Sequence, residues 1–134
     1  MIVLVSQGPN FSLSWHAQRM DGPLLHIAPR DRWDAAQTSD ETYTDPSLEA
    51  EGFIHLSTPA QVLIPANELF AGRTDLVLLV IDAERLDDEV IFEDCYESGM
   101  AFPHLYGPLP VEAVTHVLEF SPSSDGTFAL PPEL

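Results

Sequence analysis

The sequence predicts an α+β domain built on a mixed, largely antiparallel sheet with about two helices. Three observations predict it. The aliphatic run Leu76 to Ile81 is far too short to span a membrane and reads as a strand buried on both faces. Strand-like and helix-like segments do not alternate cleanly, and the later strands are joined by short connections, which disfavours a doubly wound parallel sheet. At 134 residues the chain suits one domain, because two halves would each be too small for a sound core.

The elements follow in order. Residues 1–23 are an N-terminal extension, with an apolar start at Ile2–Val5, a turn at Gly8-Pro9-Asn10 and a close at Gly22-Pro23. Leu24–Ala28 is a short strand. Pro29, Asp31 and Trp33 to Gln37 read as a helix start, with proline near the first position and acid in the first turn. Thr38–Ala50 is polar and turn-rich, a loop with room for one helical turn before Gly52. Phe53–Leu56 is a strand. Ser57 or Thr58 then caps a helix that has Pro59 in its first turn, runs to about Phe70 and stops at Gly72; Pro65 is expected to kink or break it.

Asp75–Asp82 is the clearest strand of the chain. Asp87-Asp88 turns into a strand at Glu89–Glu93. A loop through Gly99 leads to Phe102–Gly107, a proline-bounded turn at Pro108–Ala113 and a last strand at Val114–Phe120. The domain proper is therefore 24–120, and residues 121–134 read as a C-terminal tail.

Composition narrows the function. Apolar residues make up 45% of the chain, ordinary for a folded protein. Five arginines and no lysine stand against 22 acidic residues, a formal charge of −17. Such a surface repels phosphate backbones, so no nucleic acid and no anionic membrane is expected as a partner. The start lacks the basic segment and small-residue cleavage site of a secretory signal. The single Cys95 cannot form an internal disulfide. A cytoplasmic protein is the simplest expectation.

Chemistry is expected at two histidine segments, GFIHLST and FPHLYG. Side chains alternate along a strand, so Ile54 and Leu56 share a core face while Phe53, His55 and Ser57 share the other. In the second segment, Phe102, His104 and Tyr106 lie together. Glu93 ends the strand between them, on the face of Glu89 and Ile91. Two imidazoles, a carboxylate and flanking rings suit a small polar ligand. Histidine on a strand beside apolar residues is also a common structural residue, and Glu93 lies in an acidic stretch.

Other site types lack their signatures. No HxH or HExxH pair exists, so a metal site made from His55, His104 and Glu93 would need folding to assemble it, and no metal is expected. Glycines are never spaced as a phosphate loop, and no GxSxG elbow is present. Cys95 sits in FEDCYE, where neighbouring carboxylates would raise a thiol's pKa, the wrong direction for a nucleophile.

The run EGFIHLSTPAQV, the strand LVLLVID, the strand ending in Glu93 and FPHLYGPLPVEAV together resemble the bacterial family named domain of unknown function 952, over roughly Leu24 to Phe120. That family is remotely similar to the ADP-ribosyltransferase fold, particularly its RNA 2′-phosphotransferase branch. The resemblance implies a split sheet with an NAD-like ligand in its cleft. His26 would match the first-strand histidine and His55-Leu56-Ser57 the second segment, with Glu93 where that fold places a catalytic glutamate. It implies Glu93 as the carboxylate facing the developing charge, Phe53, Phe102 or Tyr106 as the stacking ring, and His26 and His55 holding ribose or phosphate. Joined to the reading of the two segments, the catalytic candidates are Glu93, His55 and His104, and the binding candidates for NAD or a related nucleotide are His26, Phe53, Ser57, Phe102 and Tyr106. Phosphate-facing arginines of the phosphotransferase branch have no clear counterpart here. A non-catalytic binding domain and a metal-assisted enzyme stay open beside this expectation.

Overall fold

The computed structural model describes residues 22–39, 42–94 and 99–134. Its elements are β1 (Leu24–Pro29), α1 (Arg30–Ser39), β2 (Thr42–Tyr43), α2 (Pro46–Glu51), β3 (Ile54–His55), α3 (Leu63–Leu69), β4 (Leu76–Ile81), β5 (Val90–Glu93), β6 (Phe102–Leu105), β7 (Leu109–Pro110) and β8 (Val114–Phe120). Single turns of 3₁₀ helix lie at Ala83–Arg85 and Val111–Ala113. The apolar start at Ile2–Val5, the expected turn at Gly8-Pro9-Asn10 and Cys95 lie outside the described residues.

Strand β4 is the centre of a three-stranded sheet in the order β1-β4-β8. All six of its residues are buried, as the aliphatic run predicts. Val77, Leu79 and Ile81 pack on one side with Leu24, Ala28, Trp33, Tyr43, Ile54, Leu56 and Leu105. Leu76, Leu78 and Val80 pack on the other with Leu25, Ile27, Val62, Ala66, Phe120 and Phe128. One strand closes two cores, so neither of its faces can carry a polar side chain.

A second sheet has the order β3-β6-β5, and β2 pairs with β7 in a third. Every strand pairing among the described residues is antiparallel. The chain leaving β3 stitches the two larger sheets together. Leu56 N–H donates to Pro103 O of β6 at 2.9 Å, and Ser57 then exchanges both backbone bonds with Leu25 of β1, at 2.7 and 2.8 Å. His55 therefore sits at the seam between the sheets.

Three expectations change. The described residues hold three α-helices where about two are expected, because the helical turn allowed for before Gly52 forms as α2. Asp45 caps it by accepting from Ser47 N at 3.1 Å, Pro46 is its first residue, and Gly52 ends it at φ 91°, a left-handed turn that glycine adopts without penalty.

The helix expected from Ser57 or Thr58 begins later. Thr58 O accepts from Gln61 N and Val62 N, forming a turn, and α3 starts at Leu63. Pro65 becomes its third residue, where a backbone N–H has no intrahelical carbonyl to meet, so the proline costs no hydrogen bond.

Residues 121–134 are more than a tail. Phe128 is buried and stacked on Phe120 at 4.6 Å, and its N–H donates to Asn67 Oδ1 of α3 at 2.7 Å. Among the described residues, no helix is long and apolar enough to cross a membrane.

Candidate functional site

The β3-β6 register puts His55 directly opposite His104, and Ile54 opposite Leu105. Alternation then does what the sequence predicts. Ile54, Leu56 and Leu105 go into the core, at no more than 2% exposure, and the two imidazoles emerge together on the other face with ring centroids 5.3 Å apart, edge to face. Strand β5 extends the same face, since Ile91 lies opposite His104 and Glu93 opposite Phe102. Phe53, just before β3, completes the cluster. Its ring stacks on His104 at 4.0 Å and 11°, meets His55 edge-on at 5.0 Å and lies 5.3 Å from Tyr106.

Each imidazole is tied to a carboxylate. His104 Nδ1 donates to Glu93 Oε1 at 2.7 Å, and Tyr106 Oη donates to the same oxygen at 2.6 Å. Both bonds fall on Oε1, leaving Oε2 outside them. On the far side, His55 Nε2 donates to Glu51 Oε1 at 2.7 Å. Burial would raise Glu93, but the bonds from Tyr106 and His104 outweigh it and hold its carboxyl below the ordinary range. Burial lowers His104, whose ring is 1% exposed, against the opposing pull of Glu93. The Tyr106 phenol is pushed up to about 12, first by its bond to Glu93 and then by burial. Near neutral pH the centre is thus an ionised glutamate, a neutral imidazole and an intact phenol.

The remaining candidates sit around this centre in different ways. His26, on β1, is buried and reaches it through backbone: its Nδ1 donates to His55 O at 2.7 Å. Its Nε2 lies 3.2 Å from Tyr43 Oη and 3.2 Å from Asp45 Oδ2. Ser57 is buried at the seam, its backbone held by Leu25. Phe102 is buried opposite Glu93. The structure brings together Phe53, His55, Glu93, His104 and Tyr106; Phe102, buried opposite Glu93, shares their face by register, and His26 and Ser57 stand behind them.

Sequence reasoning missed Glu51, Asp45 and Tyr43. The Asp45-Pro46 pair is a helix-start signal, and recognising α2 would have placed Glu51 at its end, one tight glycine turn before β3. Tyr43 carries no comparable local signal. Among the described residues, no group of three or more His, Cys, Asp or Glu side chains is placed to hold a metal ion. Glu93 and Glu51 each take one imidazole instead of converging with both.

Comparison with known proteins gives a family. The one described as "Protein of unknown function (DUF952)" matches residues 27–117, more than half of the chain. The chain belongs to that family. No curated protein matches it. Among solved structures, it is similar to the crystal structure of protein CC0527 from Caulobacter crescentus, at 37% identity and a TM-score of 0.71, over 81% of this chain and 94% of that one. It is also similar to the solution NMR structure of CC0527, at 36% identity and a TM-score of 0.71, over 84% and 96%. The DUF952 match encloses Phe53, His55, Glu93, His104 and Tyr106.

Proposed function

We propose that the polar face of β3, β6 and β5 binds NAD or a related nucleotide, and that its chemistry is NAD cleavage or ADP-ribosyl transfer. The observation that carries this reading is the state of Glu93. One oxygen is fixed by two donors, the carboxyl is held ionised, and its other oxygen lies outside both bonds. That is a preorganised negative charge, the group that stabilises a developing ribosyl cation at least cost. The order of the motifs, similar to that of the ADP-ribosyltransferase fold, supports the same reading.

In that reaction the ribose C1′–nitrogen bond breaks and its electron pair leaves on nicotinamide, which departs neutral. Water or another acceptor then adds at C1′ and gives up a proton. Glu93 would hold a ribose hydroxyl and face the positive charge, while Phe53 and Tyr106 offer rings to the pyridine. His26 and Asp45 act behind the site, fixing the backbone of His55.

Thermal shift with NAD, ADP-ribose and AMP at millimolar concentration tests binding, since a ligand of the folded state raises the Tm. Chromatography of NAD incubated with the protein tests turnover. A shift is expected with wild-type protein and with Glu93→Gln, and any turnover should fall about 10²-fold or more in the variant. A shift without turnover selects a binding domain that performs no transfer. No shift with any of the three overturns the reading.

A further inference from the structure

The fold leaves one acceptor of this cluster unmet. His104 is 1% exposed, and its Nε2 has no hydrogen-bond partner among the described residues. The other ring nitrogen decides what Nε2 can do. Nδ1 lies 2.7 Å from Glu93 Oε1, and an ionised carboxylate has only lone pairs to offer, so the proton of the neutral ring sits on Nδ1. Burial disfavours a second proton near neutral pH. Nε2 therefore presents a lone pair: it can accept a hydrogen bond and has none to give. A buried acceptor without a donor is costly, and a ligand that brings the donor recovers that cost on binding.

Glu93 indicates which part of a ligand reaches it. In the ribosyl-transfer reading, the carboxylate bonded to His104 Nδ1 also holds a ribose hydroxyl. The imidazole edge then neighbours the base carried on that same ribose and not the far end of the dinucleotide. That base is the pyridine at the breaking bond, and its hydrogen-bond donor is the carboxamide N–H.

We infer that His104 Nε2 accepts a hydrogen bond from the carboxamide of the nicotinamide ring, which makes His104 the residue that selects a carboxamide over a group with no N–H at that position. The inference rests on the preceding ribosyl-pyridine reading and adds the group that reads the ring's substituent. Phe53, half-buried and stacked on the imidazole at 4.0 Å, turns to admit it. A methyl ketone in place of the carboxamide keeps the charge and nearly the shape but leaves Nε2 unmet. A carboxylate leaves it unmet and also faces the negative charge of Glu93. Dinucleotides that differ only in this group carry the same phosphates, so the choice among them is independent of how the phosphates are held.

Calorimetry on the full chain compares NAD with its methyl ketone, 3-acetylpyridine adenine dinucleotide, and its carboxylate, nicotinic acid adenine dinucleotide. NAD is expected to bind about tenfold or more tightly than either, the scale set by leaving a buried polar group unpaired. His104→Phe keeps a flat ring beside Phe53 and removes Nε2, so NAD and the ketone should then bind within about twofold of each other. Nitrogen NMR of histidine-labelled wild-type protein reads the contact without a variant, and decides the matter if His104→Phe does not fold. The Nε2 resonance should be that of an unprotonated nitrogen, and NAD should move it further toward the protonated side than the ketone does. Equal affinity of the wild type for NAD and the ketone, a preference that survives in folded His104→Phe, or an Nε2 resonance that both ligands move alike overturns the inference while the nucleotide reading stands. If none of the three dinucleotides binds, the ribosyl-pyridine reading falls and this inference falls with it.

Discussion

Phe53 lies flat against His104, with ring centroids 4.0 Å apart and planes 11° from parallel. The contact covers an imidazole that also has a charged partner, Glu93, at 2.7 Å. Burial and ion pairing therefore pull its titration in opposite directions, and burial wins.

That outcome fixes a sign. His104 has a folded-state pKa below its ordinary 6.5, so the unfolded chain takes up its proton first as pH falls. Stability is complete above the ordinary value and is lost as pH falls through the lowered one. The Tm of the wild type should therefore drop between about pH 7 and pH 5. His104→Asn lowers the Tm at neutral pH but should flatten that slope. An unchanged slope in the variant would show that another group carries it.

Asp45 does two things that can be separated. It caps α2 through Ser47 N and faces His26 Nε2 at 3.2 Å. Burial would raise its carboxyl, but the bonds to His26 and Ser47 hold it well below the usual range. Asn keeps the cap and removes the charge. Asp45→Asn should cost about 1–3 kcal/mol, the scale for a buried group left with a poorer partner. Asp45→Ala should cost about 1 kcal/mol more through the lost cap. The carboxylate's contribution is present above its ordinary pKa and disappears below it, so Asp45→Asn should also show a shallower acid slope. Urea unfolding at two pH values measures both effects; equal losses for Asn and Ala would refute the separation.

Phe128 tests whether the last residues belong to the fold. It is 5% exposed and stacked on Phe120. Phe128→Ala should cost about 3–5 kcal/mol, the usual range for a buried ring. Asn67→Ala, which removes the acceptor for Phe128 N–H, should cost about 1–2 kcal/mol. Losses near zero in chemical unfolding would mean that the contact is not held in solution.

The strands were legible wherever one local rule acted alone. Leu76–Ile81 and Val114–Phe120 follow from composition and turn signals, and alternation placed Ile54 against His55 correctly. The errors arise where two signals compete. Pro59 and Pro65 both suit a first helical turn, and the structure uses the second, because Gln61 and Val62 bond back to Thr58 O. The site divides in the same way. His55, His104 and Glu93 fall together because period-two alternation is local, whereas Glu51 and Tyr43 arrive from segments whose course is set by tertiary packing. Phe128 packs against Phe120 and Asn67, contacts that no periodicity in the tail announces.

The phenol of Tyr106 offers the most direct test of how Glu93 is kept ionised. Its bond to Oε1 is the largest of the influences that lower the carboxyl, and it outranks the bond from His104. Tyr106→Phe keeps the ring beside Phe53 and removes that donor alone. The Glu93 carboxyl should then titrate closer to its ordinary 4.5, because burial keeps raising it while only His104 opposes. Carbon NMR of the glutamate side chains across an acid titration reads this directly. At neutral pH Glu93 stays ionised in both proteins, so any affinity for NAD should change little there. The acid limb of that affinity should move to higher pH in the variant, because the carboxylate is lost sooner on acidification. A Glu93 titration that ignores the loss of the phenol would show that the short contact is not made in solution, and with it would go the argument for a preorganised charge.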